Sequence, residues 1–122
     1  MNINIKDLVC ESKIENSNFS INKKIYLITP YIGIKRKEEL AQTIIFDSKF
    51  RLNSSVDRYV NYVLTLLSCY LNININFKNK YEEYDLLNSS SLVDVLLNMI
   101  PQKERNEFST IMNMVLDDLK NS

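Results

Sequence analysis

The segment that follows Ser54 constrains the fold most strongly, because its apolar side chains recur at the three- and four-residue steps of an α-helix. The stripe consists of Val56, Tyr59, Val60, Val63, Leu64, Leu67, Tyr70 and Leu71. Leu66 lies off this stripe, so the central turns are apolar on almost every side. Such a helix belongs in the middle of a structure, or it leaves one face for a partner. Ser54 with Asp57 three residues later predicts the start of the helix, as a variant of the capping box.

The periodicity elsewhere divides the chain into an extended part and a helical part. Residues 1–32 read as extended. Asn2 to Lys6 alternates polar and apolar, the turn signal Glu15-Asn16-Ser17-Asn18 follows, and Ile21 to Ile28 forms a second strand that Pro30 closes or places on a sheet edge, which predicts a two-stranded β-hairpin. From Ile34 the period becomes helical. Leu40, Ala41, Ile44 and Ile45 share one face, with Ile34 or Lys37 one turn before them.

The segment Asn72 to Phe77 alternates strictly, which is typical of a strand, but asparagine is a poor strand former. We expect an extended connector whose Ile73, Ile75 and Phe77 point into the core, with a paired strand as the second choice. A short helix over residues 81–87 should follow.

Two more helices are predicted near the C-terminus. Ser91 should cap a helix from Leu92 to Ile100, and Pro101 suits the first position of the last helix because that position needs no amide hydrogen. The apolar stripe of the last helix is Phe108, Ile111, Met112, Val115, Leu116 and Leu119. The expected fold is therefore a single domain over residues 1–122, mainly α with a small N-terminal β-hairpin (α+β). Four to five helices, over residues 34–120, should pack around the central hydrophobic helix.

Composition excludes most catalytic chemistry. The 122 residues include no histidine and one glycine, which removes histidine bases, histidine metal sites and glycine-rich phosphate loops. The neighbouring acid pairs 38–39, 82–83 and 117–118 diverge on a helix and do not share a substrate. Cys10 and Cys69 are too few for a disulfide framework and are interpreted as free thiols in a reducing cytoplasm. We expect no enzymatic activity, no cofactor, no metal, no signal peptide and no membrane span.

Charge is balanced overall, with 15 basic and 15 acidic residues, which argues against a dedicated nucleic-acid-binding protein. Locally, Lys35-Arg36-Lys37 opens a helix, where positive charge opposes the helix dipole. These residues are either solvated or form a basic contact patch with Lys23 and Lys24. The predicted interaction surface comprises Lys23, Lys24, Lys35, Arg36, Lys37 and Leu66. Residues 1–61 carry a net charge of +3 and residues 62–122 of −3, an asymmetry that would let copies stack head to tail.

Several stretches together are similar to one group of proteins. They are Ile34 to Ile45, Tyr70-Leu71-Asn72-Ile73-Asn74-Ile75-Asn76-Phe77, Tyr84-Asp85-Leu86-Leu87 with Leu92 and Asp94, and Ile100-Pro101 with Glu104. They resemble small proteins from the structural-gene modules of tailed bacteriophages that infect AT-rich hosts. This chain carries Ser90-Ser91 where those proteins have a glycine. Its 16 Asn, 14 Ile and 11 Lys are also residues with A- and T-rich codons.

The resemblance implies a virion structural or assembly protein of the neck, tail or capsid-accessory class, found in the virion or the host cytoplasm. It would contact other virion or assembly proteins, or copies of itself in a homo-oligomeric ring, without a small-molecule substrate, nucleic acid or membrane. Two alternatives stay open. One is a phage-encoded inhibitor of a host or defence protein, and the other is a small nucleic-acid-binding regulator that uses the basic patch.

Overall fold

The computed structural model describes residues 2–15, 18–21 and 25–121, and most of these are helical. The elements are β1 (Ile3–Asn4), α1 (Ile5–Glu11), β2 (Ser12–Glu15), β3 (Asn18–Ile21), α2 (Ile34–Ile45), α3 (Ser55–Tyr70), β4 (Ile73–Asn74), a 3₁₀ turn (Phe77–Asn79), α4 (Lys80–Ser89), α5 (Leu92–Leu97) and α6 (Gln102–Lys120). The prediction of a mainly α fold with a small N-terminal β element is confirmed. The described ranges hold six helices, against the four to five expected.

The helix α3 is the centre of the core, as the sequence predicts. It begins at Ser54, whose Oγ accepts a hydrogen bond from the Asp57 amide at 3.2 Å, so the predicted cap is confirmed. The buried positions of the helix include Val60, Asn61, Val63, Leu64, Thr65, Leu66, Leu67 and Tyr70. The all-round apolar character is therefore satisfied by neighbouring elements of the same chain. Val56 and Tyr59, in the first turns, are exposed.

The helices α2 and α6 both contact α3. Near the start of α3, Asn61 Nδ2 donates to the carbonyl of Ile44 at the end of α2 (3.3 Å). At the end of α3, Tyr70 Oη donates to Glu104 Oε1 in the first turn of α6 (2.8 Å). Lys37 Nζ in the first turn of α2 lies 2.9 Å from Glu104 Oε1, so the first turns of α2 and α6 meet at the end of α3.

The N-terminal region contains a hairpin and a helix that was not predicted. The strands β2 and β3 pair antiparallel from Ser12↔Ile21 to Glu15↔Asn18, so, apart from Ile21, the hairpin uses other residues than the two predicted strands. In the predicted second strand, residues 22–24 lie outside the described residues and Leu27 forms an isolated bridge with Leu71. The alternating start of the chain is not a hairpin strand. Asn4 Oδ1 accepts from the Asp7 amide (3.0 Å), in the manner of a helix cap, and α1 follows.

The alternating segment after α3 forms a strand, which was the second choice of the sequence analysis. Its β4 pairs in parallel with β1, in the register Ile3↔Ile73 and Asn4↔Asn74. Ile73 is buried and Ile75 is half-buried, but Phe77 is 44% exposed, so its expected place in the core was wrong. The 3₁₀ turn begins at Phe77, and the period-two alternation ends there.

Two details of the C-terminal helices differ from the predictions. Ser91 makes no capping hydrogen bond and has a left-handed backbone (φ 60°), and α5 ends at Leu97. Pro101 precedes α6 and does not open it; its carbonyl accepts from the amides of Glu104 and Arg105 at 3.0 and 3.2 Å. The predicted stripe of α6 is buried at Phe108 and Ile111 and becomes exposed toward the C-terminal end.

Candidate functional site

The predicted basic patch is largely paired within the chain. Lys35 Nζ lies 3.1 Å from Glu38 Oε1, and an Arg36 guanidinium nitrogen lies 3.1 Å from Glu39 Oε2; both pairs are exposed. Lys37, one residue further, is fully buried. Lys23 and Lys24 lie outside the described residues. The first turn of α2 is thus a set of ion pairs, which also relieves the unfavourable interaction of three cations with the helix dipole.

Lys37 is the cation of a buried polar cluster. Its Nζ lies 2.9 Å from Glu104 Oε1 and 2.7 Å from Glu107 Oε1, and 4.8 Å from the centre of the Tyr31 ring. Glu104 Oε1 also accepts from Tyr70 Oη and from the Ile32 amide, at 2.8 and 3.0 Å. Within the described part of the chain, every buried side-chain nitrogen and oxygen has a hydrogen-bond partner.

The cluster holds its groups in fixed protonation states. Burial alone would raise the pKa of Glu104, but hydrogen bonds from the Ile32 amide, Lys37 and Tyr70 lower it below its ordinary value. Burial would lower the pKa of Lys37, but the Glu107 and Glu104 carboxylates raise it. Burial and the Glu104 carboxylate raise the pKa of Tyr70. At neutral pH the cluster is therefore an ion pair with a neutral phenol, which suits a structural role better than a general base.

Leu66 does not belong to an interaction surface, contrary to the sequence-based expectation. Its side chain has no exposed surface and is part of the core. Lys37 is removed from the surface in the same way. Of the six residues predicted to form one interaction surface, only Lys35 and Arg36 are both described and exposed. The structure does not bring Leu66 to the basic turn as a shared surface.

A first exposed apolar surface lies between α2 and α6. We call it the α2–α6 groove; its volume is about 250 Å³, and its lining residues are Ile34, Lys35, Glu38, Ile111, Met114, Val115 and Asp118. Ile34 is 56% exposed and Met114 is 58% exposed. The sequence left open whether Ile34 or Lys37 joins the buried face of α2, and the structure places Lys37 inside and Ile34 outside. Met114 lies off the predicted stripe of α6.

A second surface is the loop that joins α2 to α3, residues 46–53, which we call the Phe50 loop. Phe50 is 88% exposed at this loop. Asp47 Oδ1 accepts from the amides of Lys49 (2.8 Å) and Arg51 (2.9 Å), and Asp47 Oδ2 accepts from Arg51 Nε (2.9 Å). The amide of Arg51 and these other hydrogen bonds hold the pKa of Asp47 below its ordinary value. The loop is therefore closed on itself by one carboxylate.

Phe50 also has a left-handed backbone, with φ 59°. This conformation is rare for a residue with a bulky side chain, and non-glycine residues there store about 1–3 kcal/mol of strain. The ring stands at a groove of about 570 Å³, lined by Glu39, Gln42, Thr43, Phe46, Asp47, Ser48 and Phe50. We call this the Phe50 groove. This groove was not predicted from the sequence, although aromatic residues in the short connection between two helices were a usable signal.

A third groove, of about 360 Å³, lies between α2 and α3 and is lined by Leu40, Thr43, Asn61, Thr65, Ser68, Cys69 and Phe77. Two of its hydroxyl groups are engaged with the backbone, since Thr43 donates to the Leu40 carbonyl and Ser68 donates to the Thr65 carbonyl. Burial raises the pKa of the Cys69 thiol, so it is not an activated thiolate. This groove therefore offers no prepared nucleophile.

Metal-ligand groups and membrane-spanning helices are both absent from the described residues. No three of their acidic, cysteine or histidine side chains are grouped as metal ligands. None of their helices combines the length and the hydropathy needed to cross a lipid bilayer. Comparisons with protein-family models, with curated proteins and with solved structures gave no match.

Proposed function

We propose that this chain is a bacteriophage structural or assembly protein, of the neck, tail or capsid-accessory class, that acts through protein–protein contacts. The α2–α6 groove is the observation that supports a protein–protein contact. Ile34 and Met114 each leave more than half of their side-chain surface in water on the faces of two packed helices. Exposed apolar patches with a polar rim are typical of protein interaction sites. The phage assignment is supported by the sequence resemblance.

The rim of the groove favours a protein segment as the occupant. Lys35 and Glu38 stand on one side and Asp118 on the other, so the apolar floor is bordered by charges of both signs. An interface of this kind anchors one or two apolar side chains centrally and places polar contacts around them. We infer that an apolar side chain of another virion or assembly protein packs between Ile34 and Met114.

The ion pairs of the first turn of α2 argue against the nucleic-acid-binding alternative. Lys35 and Arg36 already have carboxylate partners, and Lys37 is buried, so few unpaired cations remain there for phosphate groups. This favours protein over nucleic acid as the partner. An inhibitor of a host protein would use the same groove. The identity of the bound partner distinguishes this alternative from a virion protein.

The experiment measures capture of the purified neck, tail and capsid proteins of the encoding phage by the immobilised chain. Met114→Glu and Ile34→Glu place a charge on the groove floor and should abolish capture. Val56→Glu is the matched control, because Val56 is 66% exposed and lines neither the α2–α6 groove nor the Phe50 groove. Mass spectrometry of purified virions should find the chain in several copies if it is a structural component. Capture of none of these proteins, with no copies in the virion, would contradict the proposal.

A further inference from the structure

We propose that the Phe50 loop joins two copies of this chain about a two-fold axis, with the Phe50 ring of each copy seated in the Phe50 groove of the other. The inference deepens the proposed function and rests on it in one respect, namely that the chain acts by protein contact. It names one partner, a second copy, and it uses a surface separate from the α2–α6 groove.

The Phe50 ring is exposed on a loop that internal hydrogen bonds hold in place. Phe50 presents nearly its whole side chain to water, from a loop that Asp47 closes with three hydrogen bonds. The amide of Asp47 also donates to the Arg51 carbonyl at 2.9 Å, and that of Phe50 to the Asp47 carbonyl at 3.0 Å. A side chain held in this way loses little conformational entropy on binding, which is the general advantage of a pre-organised contact. Backbone strain at an exposed aromatic residue points in the same direction.

The Phe50 groove lies directly beside the ring. Its volume, about 570 Å³, lies within the roughly 300–1,000 Å³ of cavities that receive organic groups. Phe46 contributes an aromatic wall, and Phe50 itself stands at the edge. Because ring and groove are side by side on one face, a two-fold rotation brings each ring to the groove of the other copy. This reciprocity is the defining property of an isologous interface.

Charged residues lie beside both the ring and the groove. Lys49 precedes Phe50 in the loop, whereas Glu39, whose exposed carboxylate pairs with Arg36, lines the groove. Arg51 and Asp47 are already paired with each other within one copy. The Lys49 ammonium makes no ion pair with any described residue. The two-fold arrangement places the Lys49 ammonium beside one ring opposite the Glu39 carboxylate of the other groove, and it does so twice. A second copy therefore offers this face both a ring for the groove and a charge of opposite sign, which is the reason to choose it over an unrelated partner.

The contact should be weak. Two phenylalanine side chains bury roughly 300–500 Å², whereas specific stable interfaces bury about 1,200–2,000 Å². The flanking residues of the loop and groove must supply the remainder. The expected association is therefore a reversible dimer whose population rises with protein concentration.

The experiment is sedimentation velocity of the full chain over a concentration series. The unchanged protein should shift from monomer to dimer, and Phe50→Gly should raise the dimer dissociation constant at least tenfold. Glycine accepts the left-handed backbone, so the loop keeps its shape without the ring. Val56→Ala is the control for an exposed apolar residue outside both grooves, and it should leave the dissociation constant unchanged.

A charge exchange tests the orientation. Lys49→Glu and Glu39→Lys should each weaken the dimer, and the double variant should restore it, because the pair then meets across the interface with its signs reversed. The inference is overturned by a monomer at every concentration, by a dimer that ignores Phe50→Gly, or by a double variant as weak as the single ones. Met114→Glu should leave the dimer intact. A monomeric chain that still captures virion proteins in a Met114-dependent manner would overturn this inference and leave the proposed function standing.

Discussion

Lys37 Nζ lies 2.9 Å from Glu104 Oε1 and thereby connects the first turn of α2 to the first turn of α6 inside the protein. The two side chains are 0% and 5% exposed. Removing two such charges from water costs several kcal/mol per ion, so the pair persists only with further hydrogen bonds. Glu104 receives these from Tyr70 and the Ile32 amide, and Lys37 gains a second carboxylate from Glu107. The pair thus fixes how α2, α3 and α6 meet.

Lys37→Met should lower the free energy of unfolding by about 3–5 kcal/mol, because Glu104 is then left buried without its cation. Urea unfolding at neutral pH measures the change. Lys35→Met, two residues earlier, removes an exposed pair with Glu38 and should change stability by no more than about 0.5 kcal/mol. Equal losses of unfolding free energy in the two variants would show that the buried ion pair stabilises the protein no more than the exposed one.

The stability of the protein should fall in acid, in part through Glu104. The pKa of Glu104 in the folded protein lies below the ordinary value of 4.5. Its contribution to the free energy of unfolding is therefore complete above pH 4.5 and is lost as the pH falls through the lower folded pKa. Asp47 shifts in the same direction and adds to the effect. Glu104→Gln should therefore flatten the acid limb of a plot of unfolding free energy against pH, while part of the slope remains. An acid limb identical to that of the unchanged protein would contradict the prediction.

Stability should also fall in strong alkali, for the opposite reason. The folded pKa values of Tyr70 and Lys37 lie above their ordinary values of 10.0 and 10.5. Their contributions are complete below those values and are lost as the pH rises through the higher folded ones. Tyr70→Phe should make the alkaline limb shallower, measured as the melting temperature between pH 8 and about pH 12.

Tyr84→Phe is a control for Tyr70→Phe. Burial and the hydroxyl of Tyr59 raise the pKa of Tyr84 to about 12, so Tyr84→Phe should change the alkaline limb too, but without touching the Glu104 cluster. At neutral pH, Tyr70→Phe should lose about 1.5–3 kcal/mol, the usual range for a hydrogen bond to a charged group. A neutral-pH loss as large in Tyr84→Phe would show that the Glu104 hydrogen bond is not what matters.

The features predicted correctly from sequence are those that depend on neighbouring residues. The central helix follows from three- and four-residue steps, and its start follows from Ser54 and Asp57 alone. The turn signal at residues 15–18 placed a hairpin in this region, but short alternation assigned it the wrong strands. The start of the chain also alternates like a strand, yet only Ile3–Asn4 is one, and α1 follows at Ile5 with the Asp7 amide donating to the Asn4 side chain.

The features that were missed depend on partners far along the chain or on the surface. Lys37 lies on the apolar face of α2, which signals a buried charge, but nothing in its neighbourhood identifies Glu104 as the partner. The parallel pairing of β1 with β4 is equally remote in sequence. The exposure of Phe50 depends on how Asp47 closes the loop, and periodicity does not report on loops.

The two serines predicted to cap helices should behave differently. Ser54→Ala removes a hydrogen bond to the Asp57 amide and should lower the unfolding free energy by about 1 kcal/mol. Ser91 makes no such bond and sits in the left-handed region, so Ser91→Gly should leave stability unchanged or raise it by up to about 1 kcal/mol. Urea unfolding of both variants measures these changes in unfolding free energy. A loss in Ser91→Gly as large as in Ser54→Ala would mean that Ser91 caps α5 in solution.

The strain at Phe50 can be measured apart from any association. Alanine keeps the Cβ that makes a positive φ unfavourable, by about 1–2 kcal/mol, whereas glycine removes it. Glycine also makes the unfolded chain more flexible, which offsets about 0.5–1 kcal/mol of that gain. At concentrations too low for a dimer, Phe50→Gly should therefore be about 0.5–1 kcal/mol more stable than Phe50→Ala in urea unfolding. Neither variant loses much burial, because the ring is 88% exposed. If Phe50→Ala were the more stable variant, the loop would not hold its left-handed residue in solution, and the ring would not be pre-organised for a partner.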